Sequence, residues 1–242
     1  MSGDTELWET HADWWQREFT DGADAEYEEQ IIPLALELLA GRGRVLDVGT
    51  GEGQIARRLA DAGATVVGLD PTRTQIALAV ERGGVFGVAD AAALPVADAS
   101  CDAALACLVF EHIETMELAI SEISRTLQPG GRFVFMLNHP LLQTPDAGWI
   151  DDHMVDPPEQ YWRLGPYLRE AHLVEEVQKD VFIPFIHRPL SSYINAIADA
   201  GLGLVRMIEP APPPGYLARS VAFAAAADIP RLLVLVAEKS AA

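Results

Sequence analysis

Basic side chains are scarce in this sequence. Its 242 residues hold 17 Lys and Arg against 36 Asp and Glu, which gives a formal net charge of −19 at pH 7. Non-specific binding to nucleic acid depends on Lys and Arg that neutralise phosphates, and anionic membrane surfaces attract the same side chains. The composition therefore argues against a nucleic-acid substrate and against a membrane surface as partner.

Cysteines and long apolar runs are also scarce. Cys101 and Cys107 lie in one predicted strand, and at about 3.3 Å per residue they are too far apart to form a disulfide. No Cys and His cluster has zinc-site spacing and no acidic cluster suits magnesium, so we predict no metal. Residues 1–6 do not resemble a signal peptide, and no stretch approaches the roughly 20 apolar residues of a membrane span. We therefore predict a cytoplasmic protein.

The most informative stretch is RVLDVGTGEG, residues 44–53. It predicts a short apolar strand, a loop with glycine at every second position, and then an amphipathic helix. Such glycines permit left-handed backbone and let a ligand approach the main chain closely. The dinucleotide pattern G-x-G-x-x-G requires a glycine three residues after Gly51, where Gln54 stands. The carboxylate of Asp47, just before the loop, suits a bound ammonium or sulfonium better than a pyrophosphate.

The pattern Asp-x-Gly-x-Gly-x-Gly resembles the first motif of the class I S-adenosylmethionine-dependent methyltransferases, in the broad group that modifies small metabolites, quinones and natural products. Asp90-Ala91, Leu94-Pro95 and the turn LQPGG at residues 127–131 extend the resemblance along the chain. It implies S-adenosylmethionine as cofactor and S-adenosylhomocysteine as product. The residues expected around this cofactor are Asp47, Gly49, Thr50, Gly51, Gly53, Asp70, Pro71, Asp90, Ala91 and Leu108.

Two acidic residues have specific expected roles. Asp70 ends the second predicted strand 19 residues after Gly51, close to the roughly 20 expected for a carboxylate that binds ribose hydroxyls. Capping of the following helix is the alternative role for Asp70. The resemblance implies that Asp90 accepts a hydrogen bond from the adenine amino group and that the backbone of Ala91 faces the ring.

The order of elements predicts a Rossmann-like α/β fold. Strands alternate with helices, which indicates a seven-stranded, mostly parallel sheet with an antiparallel last strand and helices on both faces. The pattern predicts the first two helices over residues 5–19 and 25–39, the fourth strand over residues 102–109 and the fifth over residues 132–137. We predict one domain over residues 1–242, made of a helical lid (1–42), a cofactor-binding core (43–138), an acceptor-pocket insertion (139–188), and a C-terminal helix and strand pair (189–242). Within the lid, Trp14, Trp15 and Phe19 are candidates for contacts over the cofactor, with core packing as the alternative.

We select candidate catalytic residues by their position relative to the predicted strands and the insertion. Methyl transfer from a sulfonium mainly requires alignment of the acceptor, and a hydroxyl acceptor also needs a base such as histidine. We predict His139 first and His187 second, because they flank the insertion, and then His112, which follows the fourth strand near the expected methyl group. A structural role is the alternative for each. Arg188 could hold an acceptor carboxylate or form an ion pair, and Glu111 could act as a base or begin a helix.

The predicted function is S-adenosylmethionine-dependent O- or N-methylation of a metabolite or natural product by in-line displacement. Two alternatives stay open on the sequence. One is an NAD-dependent oxidoreductase, and the other is a non-catalytic S-adenosylmethionine-binding partner protein. The acceptor, its reacting atom and the oligomeric state are not defined by the sequence.

Overall fold

A computed structural model describes residues 3–219 and 227–240. Its strands are β1 (Arg44–Val48), β2 (Thr65–Asp70), β3 (Val85–Val88), β4 (Cys101–Cys107), β5 (Leu127–Asn138), β6 (Gly148–Asp152), β7 (Glu159–Arg163), β8 (Ala171–Gln178), β9 (Val181–His187), β10 (Leu202–Ile208) and β11 (Leu232–Lys239). A seven-stranded sheet has the order β10-β11-β5-β4-β1-β2-β3. β11 runs antiparallel to both of its neighbours, whereas β1 to β5 pair in parallel. The predicted fold class is confirmed.

The α-helices are α1 (Gly3–Thr10), α2 (Ala12–Phe19), α3 (Ile32–Leu38), α4 (Gln54–Asp61), α5 (Arg73–Arg82), α6 (Met116–Thr126), α7 (Leu190–Asp199) and α8 (Pro214–Leu217). Apolar side chains of α3 and α4 pack on one face of the sheet, and those of α6 and α7 pack on the other. Because both faces are covered, the central strands are apolar throughout, as in β4 with its run of buried Ala and Leu. No helix among residues 3–219 and 227–240 is long and apolar enough to span a bilayer.

Several predicted boundaries are wrong for local reasons. The first helix, expected over residues 5–19, is interrupted at His11, whose Nε2 accepts a hydrogen bond from the Phe182 backbone N–H. The second, expected over residues 25–39, starts with one π-helical turn at Tyr27–Ile31. β4 ends two residues before the expected Val109, because Leu108 has a φ of 55° and turns the chain. β5 begins five residues before the expected Arg132.

The insertion after β5 consists largely of two antiparallel hairpins, β6-β7 and β8-β9. The first hairpin is mostly exposed, while the second strand of the other hairpin is buried from Ile183 to His187. This buried strand passes α1 and the short helical turn Phe110–His112. The insertion therefore contributes packing next to the carboxyl ends of the parallel strands, where ligands bind in open α/β sheets.

Candidate active site

A cavity lies at the carboxyl ends of β1, β2 and β4. It is lined by the glycine loop after β1, by residues 69–72 and 89–91, by the segments 107–109 and 112–115, and by side chains from the N-terminal helices. All the residues predicted around the cofactor line this cavity except Gly53. Gly53 instead caps the N-terminus of α4 with a φ of 83°, and a Cβ there would collide with Phe86. Position 53 therefore requires glycine, both for its left-handed backbone and for its close contact with Phe86.

The glycine loop is shaped to leave room for a ligand. Gly49 and Gly51 have φ values of 73° and 57°, a left-handed conformation that side chains disfavour. A Cβ on Gly49 would lie 2.3 Å from Val109 Cγ2, so the loop and the end of β4 approach closely. A Cβ on Gly51 would meet no atom of the protein within 4 Å, so the space beside this residue is open to a bound molecule.

Three carboxylates from three strand ends face this loop and its surroundings. Asp47 is buried and accepts a hydrogen bond from Thr50 Oγ1 at 2.7 Å. Asp70 accepts from the backbone N–H groups of Gly51 at 3.0 Å and Thr72 at 2.8 Å, so it joins the loop to the start of α5. The exposed Asp90 accepts from the N–H of Ala92. Both roles proposed for Asp70 are therefore compatible, because the helix contact and the cavity position occur together.

Burial alters the proton affinity of two of these carboxylates. Desolvation raises the pKa of Asp47 to about 7, against the lowering effect of its Thr50 hydrogen bond. Desolvation also raises the pKa of Asp70, although backbone N–H donors oppose the shift. A cationic ligand beside these groups would favour their ionised form. These carboxylates thus fit a cofactor that carries a sulfonium, an ammonium group and ribose hydroxyls.

The N-terminal helices close the cavity on one side. Trp8 and Trp15 line it, with ring centroids 5.4 Å apart, and Trp15 stacks on Phe19 at 4.3 Å. Neither Trp14 nor Phe19 lines the cavity, and the Trp14 indole N–H instead donates to Gln178. Sequence reasoning did not select Trp8 for the lid. Trp8 stands seven residues before Trp15, and residues at this spacing share a helix face. This spacing could have placed Trp8 beside Trp15 in the lid.

Polar contacts fasten the lid along the length of α5. The Glu9 carboxylate accepts from the backbone N–H groups of Arg73 and Thr74 at the start of this helix. In the first turn of α5, Gln16 donates to Gln75, and at its end Arg82 pairs with Asp21 at 2.8 Å. The lid is thus held against the core at both ends of α5.

Of the three predicted catalytic histidines, the structure brings only His112 to the cavity. Its Nδ1 lies 2.6 Å from the carbonyl oxygen of Pro184, which assigns the ring proton to Nδ1 and the lone pair to Nε2. Burial lowers the pKa of His112 to about 4, so the ring is neutral at physiological pH. The ring also meets Trp8 edge-on at 4.8 Å, which places it against the lid.

His139 and His187 lie away from the cavity. The buried His139 ring donates from Nε2 to Glu209 at 2.8 Å, while its Nδ1 accepts from the Leu141 N–H. His187 is also buried and donates from Nε2 to the Tyr167 carbonyl oxygen at 2.8 Å. Neither ring lines the cavity, and each turns toward a partner in a neighbouring segment, as in the structural role that was the alternative for both.

Arg188 holds the cavity loop, not an acceptor carboxylate. Its buried guanidinium donates to the carbonyl oxygens of Phe110, Ile113 and Glu114, at 3.0–3.2 Å. Glu170 lies 3.6 Å from its Nε. These contacts fix the segment that carries His112, so Arg188 positions the site from behind the loop. The predicted ion pair is present, but the carbonyl contacts are closer.

We expect Arg188→Met to lower the free energy of unfolding by at least about 2 kcal/mol, because it leaves buried carbonyl oxygens without donors. Chemical denaturation of the purified proteins measures this difference. Arg169→Met, at an exposed position of the same insertion, is the matched control and is expected to change stability by less than about 0.5 kcal/mol. Equal stability of the two variants would contradict the positioning role.

Glu111 is buried beside this loop and does not line the cavity. Its Oε1 accepts from both the backbone N–H and the side-chain amide of Asn138, at 2.8 and 3.0 Å. Its Oε2 is buried without a hydrogen-bond partner among the described residues. Desolvation raises the pKa of Glu111 to about 7. Glu111 lies within the turn Phe110–His112 and links it to the end of β5.

Comparison with known proteins agrees with this geometry. Residues 46–135 match the family model of the methyltransferase domain. An S-adenosylmethionine-dependent methyltransferase from Mesorhizobium loti has 26% identical residues and a TM-score of 0.76, and the superposition covers 90% of this chain and 99% of that one. Both matches support the family of class I S-adenosylmethionine-dependent methyltransferases. The predicted family and its cofactor, S-adenosylmethionine, are thereby confirmed.

Curated relatives of this methyltransferase match it over part of their length. A demethylmenaquinone methyltransferase from Thermus thermophilus is 36% identical over 123 residues, which are 48% of this chain and 55% of that protein. A malonyl-[acyl-carrier protein] O-methyltransferase from Geobacter sulfurreducens is 34% identical over 128 residues, or 48% and 47% of the two chains. The chain therefore spans about half the length of these relatives.

Proposed function

We propose that this methyltransferase transfers the methyl group of S-adenosylmethionine to a small-molecule acceptor bound beside His112. One observation supports it above all, namely that Asp47, Asp70 and Asp90 from three strand ends line the same cavity as His112 and two lid tryptophans. The relatives named for demethylmenaquinone and malonyl-[acyl-carrier protein] methylation agree with an acceptor outside the nucleic acids.

The residues around the cavity divide into two groups. The glycine loop, Asp47, Asp70 and Asp90 would hold the cofactor, which supplies an activated methyl group on sulfur when bound. His112, Ile113, Trp8 and Trp15 form the remaining wall, which is where an acceptor would be aligned with that methyl group. Because alignment is the main requirement of the displacement, these residues act by fixing the acceptor and excluding water.

Calorimetric titration tests the cofactor site directly. We expect S-adenosylhomocysteine to bind the purified protein and NAD to show no heat of binding. The opposite result would mean that the glycine loop holds a nicotinamide cofactor, and the proposal would fall. S-adenosylhomocysteine binding without methyl transfer to any pool of small molecules, assayed with radiolabelled S-adenosylmethionine, would favour the non-catalytic alternative.

We expect His112→Ala to lower the rate of methyl transfer by about tenfold to a hundredfold, because loss of alignment of this order follows from small displacements of an acceptor. The affinity for S-adenosylhomocysteine is expected to stay within about twofold of the wild-type value, since the cofactor contacts are elsewhere. His153→Ala, at an exposed site, is the control. An unchanged rate in His112→Ala would remove His112 from the acceptor site.

A further inference from the structure

Every charged side chain that lines the cavity is a carboxylate. They are Asp47, Glu52, Asp70, Asp90 and Glu114, and no Lys or Arg joins them along the described lining. S-adenosylmethionine carries a sulfonium, an ammonium and a carboxylate, hence one net positive charge. Even with Asp47 or Asp70 protonated for part of the time, this charge leaves the cavity with an excess of negative groups.

Glu52 does not add to this excess. Its side chain is buried, and Oε2 pairs with Arg57 and with Arg82. The excess of negative groups therefore rests on Asp47, Asp70, Asp90 and Glu114.

The guanidinium groups that bond to residues of the cavity lining are already committed. Arg57 and Arg82 bind Glu52, and Arg188 binds three backbone carbonyl oxygens behind the loop that carries Glu114. An acceptor with a carboxylate or phosphate in the cavity would therefore face carboxylates without a counter-ion. Desolvation of an unpaired anion costs several kcal/mol in a protein interior.

The wall that closes the acceptor side is aromatic. Trp8 and Trp15 meet edge to face, Trp8 also meets the His112 ring, and Tyr27 lies 6.5 Å from Trp15 between ring centroids. Tryptophan faces attract cations, and the interaction strengthens when water is excluded. The exposed Glu114, two residues after His112, lines the same cavity. Aromatic rings and a carboxylate in one cavity suit an organic cation.

We propose that the acceptor is an amine, which the cavity recognises through Glu114, Trp8 and Trp15 and methylates on nitrogen. This inference rests on the proposed methyl transfer. The acceptor binds as an ammonium ion and releases one proton to solvent before it reacts. The lone pair of the neutral amine then forms the new bond to the methyl carbon, and the carbon–sulfur bond breaks with its electron pair left on sulfur. The positive charge moves from sulfur to nitrogen, so the product is a methylated ammonium ion.

The charge balance explains why an amine suits this cavity better than a hydroxyl. An amine releases its proton several pH units below a hydroxyl, and once it is neutral one net positive charge is present before and after transfer, so the same carboxylates stabilise both states. A hydroxyl must lose its proton toward an alkoxide, which the surrounding carboxylates disfavour. It also needs a base whose pKa lies near the working pH, and burial moves His112 well below that range.

Ligand-observed NMR on the full chain saturated with S-adenosylhomocysteine tests the proposal. The probes are matched aryl-alkyl skeletons that each end in an amine, a carboxylate or an alcohol, for example 2-phenylethylamine, 3-phenylpropionate and 2-phenylethanol. We expect the amines to bind at least about fivefold more tightly than their partners. Equal or tighter binding of the carboxylates or alcohols, or no binding of any amine, would overturn the proposal.

Two variants tie this selectivity to the cavity. Glu114→Gln is expected to reduce the preference for amines over alcohols by at least about threefold, whereas Glu117→Gln, at an exposed position of α6, leaves it unchanged. The same preference in both variants would exclude Glu114 from the site. Failure of S-adenosylhomocysteine to bind in the preceding titration would instead overturn the proposed methyl transfer, so the two failures are distinguishable.

Discussion

Replacement of Asp70 by alanine is expected to weaken S-adenosylhomocysteine binding at least tenfold. Asp70 is buried at the end of β2, lines the cavity and orders the backbone of Gly51 through a 3.0 Å hydrogen bond. The family resemblance assigns its carboxylate to the ribose hydroxyls. Hydrogen bonds to a charged group contribute about 1.5–3 kcal/mol, which is a factor of ten or more in affinity. Calorimetric titration of both proteins gives the ratio.

A matched variant separates this local effect from a loss of net charge. Asp61→Ala removes one carboxylate at the exposed end of α4 and is expected to bind S-adenosylhomocysteine as the wild type does. Thermal unfolding of Asp70→Ala shows whether the variant is folded at the titration temperature. A folded Asp70→Ala protein with wild-type affinity would sink the ribose assignment.

The cofactor side of the cavity could be predicted because its signals are local. Asp47, Asp70 and Asp90 each stand at or just after the end of a short apolar strand, and parallel strands that alternate with helices bring such positions to one edge. Glycine at positions 49 and 51 is needed for backbone conformation, which the residue type itself reveals. Each inference required only a strand boundary and a spacing, so the structure places these residues as expected.

The acceptor side depends on contacts that no local pattern encodes. His139 was favoured because it follows β5, but its ring is held by Glu209, which lies 70 residues away in the chain. His112 is oriented by the carbonyl oxygen of Pro184 in β9, and Trp8 reaches it from α1. The packing of the insertion and the lid determines these partners. The periodicity of apolar residues in the sequence does not contain this information.

The end of β4 shows the same limit at the level of backbone. The apolar run through Val109 predicts a longer strand, but Leu108 takes a left-handed φ of 55°. This conformation is uncommon for a leucine, and it allows the N–H of Leu108 to reach the carbonyl oxygen of Met136 at 2.8 Å. The turn then brings Val109 against Gly49. Close packing with the glycine loop therefore overrides the strand propensity of the sequence.

The buried Glu111 predicts an unusual dependence of stability on pH. Desolvation raises its pKa from 4.5 to about 7, so the folded protein binds this proton more tightly than the unfolded chain does. For such a group, stability is lost as the pH rises from the unfolded pKa through the folded one. The shift corresponds to about 3 kcal/mol lost between about pH 4.5 and about pH 8.

Glu111→Gln is expected to abolish this loss, because glutamine has the shape of the protonated acid and keeps an oxygen for the two Asn138 donors. At about pH 8 the variant should melt about 6–12 °C above the wild type, given a shift of 2–4 °C per kcal/mol for a chain of this size. At about pH 4.5 the two melting temperatures should agree closely.

Asp47, whose pKa also lies at about 7, titrates in both proteins and cancels in the difference. Glu117→Gln, on the exposed side of α6, should follow the wild type at every pH. A Glu111→Gln protein that is no more stable than the wild type at pH 8 would show that the buried carboxyl carries no such penalty, since only an ionised Glu111 distinguishes the two chains there.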